Sequence, residues 1–157
     1  PSGDLKMFFI GQSATVIADA IGLEVAPDTR LLVFRADGSS PEGASARERL
    51  APVLSLFTVD GDDEAIQLCG RLLDYEGAGH TANIHTRDEA RIERFAAAMP
   101  VSRVLVNAPS AMGCCGVVTG LAPSLTLGCG TFGGNSTTDN VGYRNLLNIK
   151  RVARVLG

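Results

Sequence analysis

Along this chain the apolar positions recur with a period that switches between helix-like and strand-like. After the turn-prone Gly11, Val16 with Ala20 and Ile17 with Ile21 repeat at i, i+4 behind Ser13, which predicts a serine-capped helix ended by Gly22. Pro27-Asp28 makes a turn, and Arg30-Leu-Leu-Val-Phe-Arg35 is a short apolar run of the kind that forms a buried strand. Residues 37–46, rich in Gly, Ser, Pro and Ala, read as a loop. From Val53 the pattern becomes regular: strand 53–59, helix 62–76, strand 81–86, helix 88–99, strand 101–107. In the first of these helices Ala65, Ile66, Leu68, Cys69, Leu72 and Leu73 share one stripe, acidic residues occupy the first turn, and Gly77 or Gly79 stops it.

Strands that alternate with helices of this length pair in parallel, so the expected fold is α/β, a parallel βαβαβ sheet covered by helices. Ligands of such folds gather at the carboxyl ends of the strands, here near Asp60, residues 85–87 and residues 107–116. Beyond Asn107, residues 108–136 are dense in Gly and free of charge. A segment this long that also carries Val, Leu and Phe reads as a binding loop better than as a disordered linker.

Composition narrows the picture. With 157 residues there is one domain or less, and 45% hydrophobic content suffices for a core, which excludes disorder. A net charge of −3 offers no general attraction to phosphate backbones or anionic lipid, so neither nucleic acid nor a membrane is an expected partner. No uncharged apolar stretch approaches the roughly 18 residues of a membrane span, and no signal-peptide pattern opens the sequence; the cytoplasm is the expected compartment. The four cysteines, Cys69, Cys114, Cys115 and Cys129, have neither disulfide-scaffold nor metal-site spacing, so reduced thiols and no metal are expected. The start at Pro1, running straight into Met7-Phe-Phe-Ile, reads as a piece of something longer.

Several residues carry candidate chemistry. Gly128-Cys-Gly-Thr-Phe-Gly133 satisfies G-x-G-x-x-G, yet turn-forming Gly134-Asn-Ser-Thr-Thr-Asp-Asn follows where a dinucleotide fingerprint needs a helix; we read close-approach glycines instead. Glu48 fits a capping box with Ser45, and equally a carboxylate that accepts hydrogen bonds from ribose hydroxyls. His80 and His85 are the only imidazoles, and a histidine among glycines at a strand start is more often solvated than catalytic. Cys114 and Cys115 lack a neighbouring cation or helix start in sequence to activate them and read as small buried residues. Basic Lys150, Arg151 and Arg154 read as a solvated face. The tail 146–155 has helical spacing.

Four blocks taken together resemble a known family. They are Ala46-Arg-Glu-Arg-Leu-Ala-Pro-Val53, Gly79-His-Thr-Ala82, Arg103-Val-Leu-Val-Asn-Ala-Pro-Ser110, and Leu121-Ala-Pro-Ser-Leu-Thr-Leu-Gly-Cys-Gly-Thr-Phe-Gly-Gly-Asn-Ser136 with Asp139-Asn-Val-Gly142. The last is the most specific. They resemble the aldehyde dehydrogenases, in particular the CoA-acylating branch typified by the aldehyde dehydrogenase half of bifunctional aldehyde-alcohol dehydrogenase. The resemblance implies that residues 1–142 are the later part of the catalytic domain and 143–157 a segment returning toward the cofactor domain and oligomerisation strand, which favours strand over helix for the tail.

It further implies an NAD(P)-dependent enzyme in which a cysteine thiolate takes up an aldehyde or semialdehyde and passes the acyl group to coenzyme A. Glu48 matches the glutamate that holds the nicotinamide ribose, and Leu50 the position beside the ring. His80 matches a histidine near the acylation centre, a base for the incoming thiol; Ser110 to Met112 and Phe132 fall in the substrate channel. A homo-oligomer is implied. The nucleophile and cofactor domain lie upstream in that family, Arg49-Leu50 replaces a Lys-Leu pair, and Cys114-Cys115 replaces smaller residues. A hydrolytic semialdehyde dehydrogenase, and a non-catalytic binding domain of the same shape, are the alternatives.

Overall fold

Ser13 caps the first helix as expected: its side chain accepts a hydrogen bond from the Val16 amide at 3.3 Å, and α1 spans Ala14–Ala20 with Ala14, Ile17 and Ala18 buried. Gly22, at φ +70°, lets the chain leave the helix in a left-handed turn. A computed structural model of the chain describes residues 7–36 and 46–157, which fall into two compact units divided between Gly77 and Ala78. All of the expected loop but Ala46, and the Ser45 side of the capping box, lie outside the described residues.

In the first unit β1 (Leu32–Arg35) pairs in parallel with β2 (Val53–Leu56), Leu32 opposite Val53 and Arg35 opposite Leu56. The strand read as buried is not: Val33 is 55% exposed and Leu54 54%. The apolar composition that makes a strand read as buried requires cover on both faces, and this two-stranded ladder leaves its apolar side chains half open. α2 (Asp62–Tyr75) has Asp62, Asp63 and Glu64 in its first turn, and its expected stripe turns inward, with Leu68 buried and the other five members half-buried. Gly77 follows its end at φ +104°.

In the second unit β3 (Gly79–Ile84) and β4 (Val101–Val106) are joined through α3 (Glu89–Ala98) in a parallel βαβ unit whose register sets Thr81 opposite Arg103 and Ile84 opposite Val106. Asp88 caps α3 by accepting from the Arg91 amide at 3.2 Å. The alternating strands and helices thus form as read, all pairing parallel, but in two separate two-stranded sheets. After β4, Asn107 turns the chain at φ +53° and its side chain donates to the Thr86 carbonyl at 2.7 Å. α4 (Ser110–Cys114) follows, and its Cys114 packs with Ala108 and Leu105, with Cys115, Leu121 and Leu127 around them.

The Gly-rich segment is ordered backbone without a long element. A bridge joins Leu127 to Asn140, the Gly128 amide donates to the Asp139 carbonyl at 2.8 Å, and that of Gly130 to the Thr137 carbonyl at 2.9 Å. No helix opens at Gly133, so the rejection of a dinucleotide fingerprint stands, and the glycines are close-approach positions. Gly79, at φ +81°, faces this turn so closely that a Cβ there would run into the Cys129 carbonyl and come within 2.6 Å of the Gly133 nitrogen. The tail is neither helix nor strand: after a 3-10 turn at Tyr143–Leu146, residues 147–157 form no ladder, and Leu146 is 83% exposed. A strand exists only by pairing, and the tail pairs with none of the described strands.

Substituting Gly79→Ala is expected to cost more than ~2 kcal/mol of stability, because neither the φ value nor the neighbouring backbone can yield. Gly120→Ala, with nothing within 4 Å, is expected to change it by less than about 0.5 kcal/mol. Urea unfolding of both variants checks the contrast.

Candidate functional site

The candidate residues fall into three places. In the first unit, residues 46–49 are held against the end of α2: the Glu48 amide donates to Glu76 Oε2 at 2.8 Å, and Arg47 Nε donates to the Tyr75 hydroxyl at 3.3 Å. Arg49 donates to Ser55 at 3.0 Å and stacks its guanidinium 5.0 Å from the Phe34 ring centroid. No helix forms over 46–52, so Glu48 caps nothing there. Its carboxylate is exposed, has no hydrogen-bond partner among the described residues, and lines a hollow of about 340 Å³ with Leu54, Phe57 and Leu72. Leu50, 59% exposed, lies outside that hollow. An exposed carboxylate without a partner among the described residues can accept hydrogen bonds from the hydroxyls of a ligand.

In the second unit His80 stands at the amino end of β3, not at the carboxyl end where ligands were expected to gather. Its ring is exposed, with Nδ1 2.9 Å from Thr81 Oγ1. The turn that carries Phe132, itself 66% exposed, packs its backbone on Gly79, beside His80. Ser110 and Met112 sit at the opposite end of the ladder, on α4; Asn83 Nδ2 donates to Ser110 Oγ at 3.1 Å and to the Ala108 carbonyl at 2.6 Å. His80 and Asn83 are three residues apart on one strand, about 10 Å. The Asn83 Oδ1 is buried without a hydrogen-bond partner among the described residues. His85 is exposed after β3.

Arg103 is the residue that the search for site chemistry missed. It is 4% exposed, and its guanidinium makes four hydrogen bonds: Nε to Thr81 Oγ1 at 3.2 Å, Nη1 to the Thr138 carbonyl at 3.0 Å and to Asn140 Oδ1 at 3.5 Å, Nη2 to the Gly128 carbonyl at 2.7 Å. Asn140 extends the web, donating to the Cys114 and Ala122 carbonyls at 2.8 and 2.7 Å. The available signal was a cation inside the otherwise apolar strand run Val101-Ser-Arg-Val-Leu-Val106.

Cys114 does not gain nucleophilic character. Burial pushes the Cys114 thiol up, the hydrogen bond and charge of Cys115 push it further, and Arg103 offsets only part of this. Burial likewise raises the Cys69 thiol. Among the described residues, no group of three or more His, Cys, Asp or Glu side chains could hold a metal.

Two outcomes are expected. Arg103→Lys replaces a planar fork by a point charge that cannot reach carbonyls on both sides, and should cost about 3 kcal/mol in urea unfolding. Cys69 and Cys114 favour the neutral thiol in the folded state, so the stability they confer is complete below the unfolded value near 9 and is lost as pH rises through their higher folded values. The melting temperature should fall above pH 9 with a slope that shrinks in the Cys69→Ala/Cys114→Ala variant.

No protein-family model matches the chain. It is 34% identical over 150 residues to the acetylating succinate-semialdehyde dehydrogenase of Clostridium kluyveri, covering 96% of this chain and 33% of that enzyme. It is 38% identical over 156 residues to the aldehyde-alcohol dehydrogenase of Clostridium acetobutylicum, covering 96% of this chain and 18% of that one. The crystal structure of an acetylating aldehyde dehydrogenase from Geobacillus thermoglucosidasius superposes with a TM-score of 0.93 at 39% identity, over 100% of this chain and 35% of its own. The resemblance read from the four sequence blocks thus holds across the chain in sequence and in fold: these residues are homologous to CoA-acylating aldehyde dehydrogenases, of which they span about a third or less.

Proposed function

We propose that the chain is the later catalytic-domain part of an NAD(P)-dependent, CoA-acylating aldehyde or semialdehyde dehydrogenase, working in the cytoplasm as a homo-oligomer. The observation that carries this reading is the 34–38% identity, over 96% of the chain, to enzymes whose names specify acetylating and aldehyde-alcohol dehydrogenase chemistry. In the proposed reaction a cysteine thiolate, supplied by the part of the domain outside these residues, adds to the aldehyde carbon. A nicotinamide cofactor, held by Glu48 and Leu50, would supply the acceptor for the hydride that the adduct gives up in becoming a thioester. The thiol of coenzyme A then displaces the enzyme sulfur, and acyl-CoA departs.

Each candidate residue has a part suited to its surroundings. The Glu48 carboxylate, without a partner among the described residues, accepts from the ribose hydroxyls, and Leu50 offers apolar surface to the nicotinamide ring. His80 stands at the acyl-transfer step as an exposed imidazole anchored at one nitrogen. Ser110, Met112 and Phe132 line the path of the aldehyde, the first oriented by Asn83. Cys114 is left to packing, in keeping with its raised thiol.

In the complete enzyme, aldehyde oxidation should depend on CoA and yield acyl-CoA; acid formed at an equal rate without CoA overturns the reading. Glu48→Gln should raise KM for the cofactor about tenfold, the factor that ~1.4 kcal/mol of charge-assisted hydrogen bonding is worth, with little change in KM for aldehyde. His80→Ala should depress CoA-dependent turnover, and unchanged turnover removes His80 from the mechanism.

A further inference from the structure

Among the described residues the His80 ring has one hydrogen bond, between Nδ1 and Thr81 Oγ1, 2.9 Å apart. Thr81 lies in register with Arg103 on the neighbouring strand, and the buried guanidinium donates to the same oxygen through Nε at 3.2 Å. The direction of that second bond is fixed, since a guanidinium has no acceptor and keeps its protons. Thr81 Oγ1 therefore gives one lone pair to Arg103 and has one proton and one lone pair left for His80. A hydroxyl that accepts from a cation becomes a better donor and a poorer acceptor. Donation from Thr81 to Nδ1 uses the proton and leaves only a lone pair idle; the reverse bond would leave a half-buried hydroxyl proton without a partner among the described residues.

We propose that Thr81 and Arg103 are positioning residues that hold the neutral His80 ring with Nδ1 as acceptor and the proton on Nε2, so that the ring meets an acyl group as a hydrogen-bond donor. The inference rests on the acyl-transfer reading only for what the donor meets. There, Nε2–H is directed to the thioester carbonyl oxygen and to the negative charge that grows on it as CoA adds. CoA adds as the thiolate, its proton already given to water, and the enzyme thiolate leaves. The base role that the resemblance implies is replaced, because this tautomer has no lone pair on Nε2.

Long-range proton–nitrogen spectra of the 157-residue chain, labelled at the histidine nitrogens and assigned with His85→Asn, read the ring directly. The neutral His80 ring is expected to be protonated at Nε2, with the Nδ1 resonance of a hydrogen-bonded acceptor. Thr81→Val, close in shape, should move Nδ1 to its unbonded position, and Thr81→Ser should restore it. In the complete enzyme Thr81→Val should lower CoA-dependent turnover about fivefold, the worth of one ordinary hydrogen bond, and Thr81→Ser should recover it. A proton on Nδ1 in the wild type, or an Nδ1 signal indifferent to Thr81→Val, overturns the assignment whatever the enzyme does. The expected spectra with undiminished turnover in Thr81→Val overturn the donor role; if His80→Ala is also without effect, it is the acyl-transfer reading that falls.

Discussion

A guanidinium buried without a carboxylate against it is costly, and in the second unit the partners of Arg103 among the described residues are neutral acceptors: two backbone carbonyls, an amide oxygen and a hydroxyl. Those acceptors are far apart in sequence, at residues 81, 128, 138 and 140, so satisfying one cation draws a strand and two stretches of glycine-rich chain to a single point. A segment with so many glycines loses much conformational entropy on ordering. The charged hydrogen bonds, each worth about 1.5–3 kcal/mol, add to what the packing of Leu121 and Leu127 supplies there.

This constraint also shapes the chemistry. The turn bearing Phe132 is set on Gly79 by contacts with no room for a side chain, and the residue after Gly79 is His80. The carbonyl web around Arg103 and Asn140 holds one side of that arrangement, and the Thr81 hydroxyl links it to the imidazole. Ser110 and Met112 stand at the other end of the same ladder, so the second unit presents two separated groups of candidate side chains, while Glu48 and Leu50 belong to the first unit. An exposed imidazole, an exposed phenyl ring and a half-open apolar ladder suit a portion of a larger enzyme better than a finished binding pocket.

The elements were legible because their signals are local. Ser13 and Asp88 cap the helices they precede, the α2 stripe turns inward, and the alternation of strand and helix forces parallel pairing. The exposure of β1 was not legible, because burial depends on neighbours that a strand's own residues do not specify. Glu48 and His80 could be named only through resemblance, since a lone carboxylate or imidazole carries no pattern. Arg103 was quoted for that resemblance and passed over as chemistry: its partners lie up to 37 residues away, and no spacing rule connects a strand arginine to carbonyls in a later loop.

Hydrogen exchange across the second unit tests most directly whether Arg103 organises the glycine-rich segment. In Arg103→Met, the amides of Gly128, Gly130, Asn135 and Val141 should lose protection while those of α3 keep theirs, because the former rest on the guanidinium web and the latter on the helix alone. Undiminished protection at Gly128 and Gly130 would contradict the account, since the loop would then be held by something other than the buried cation.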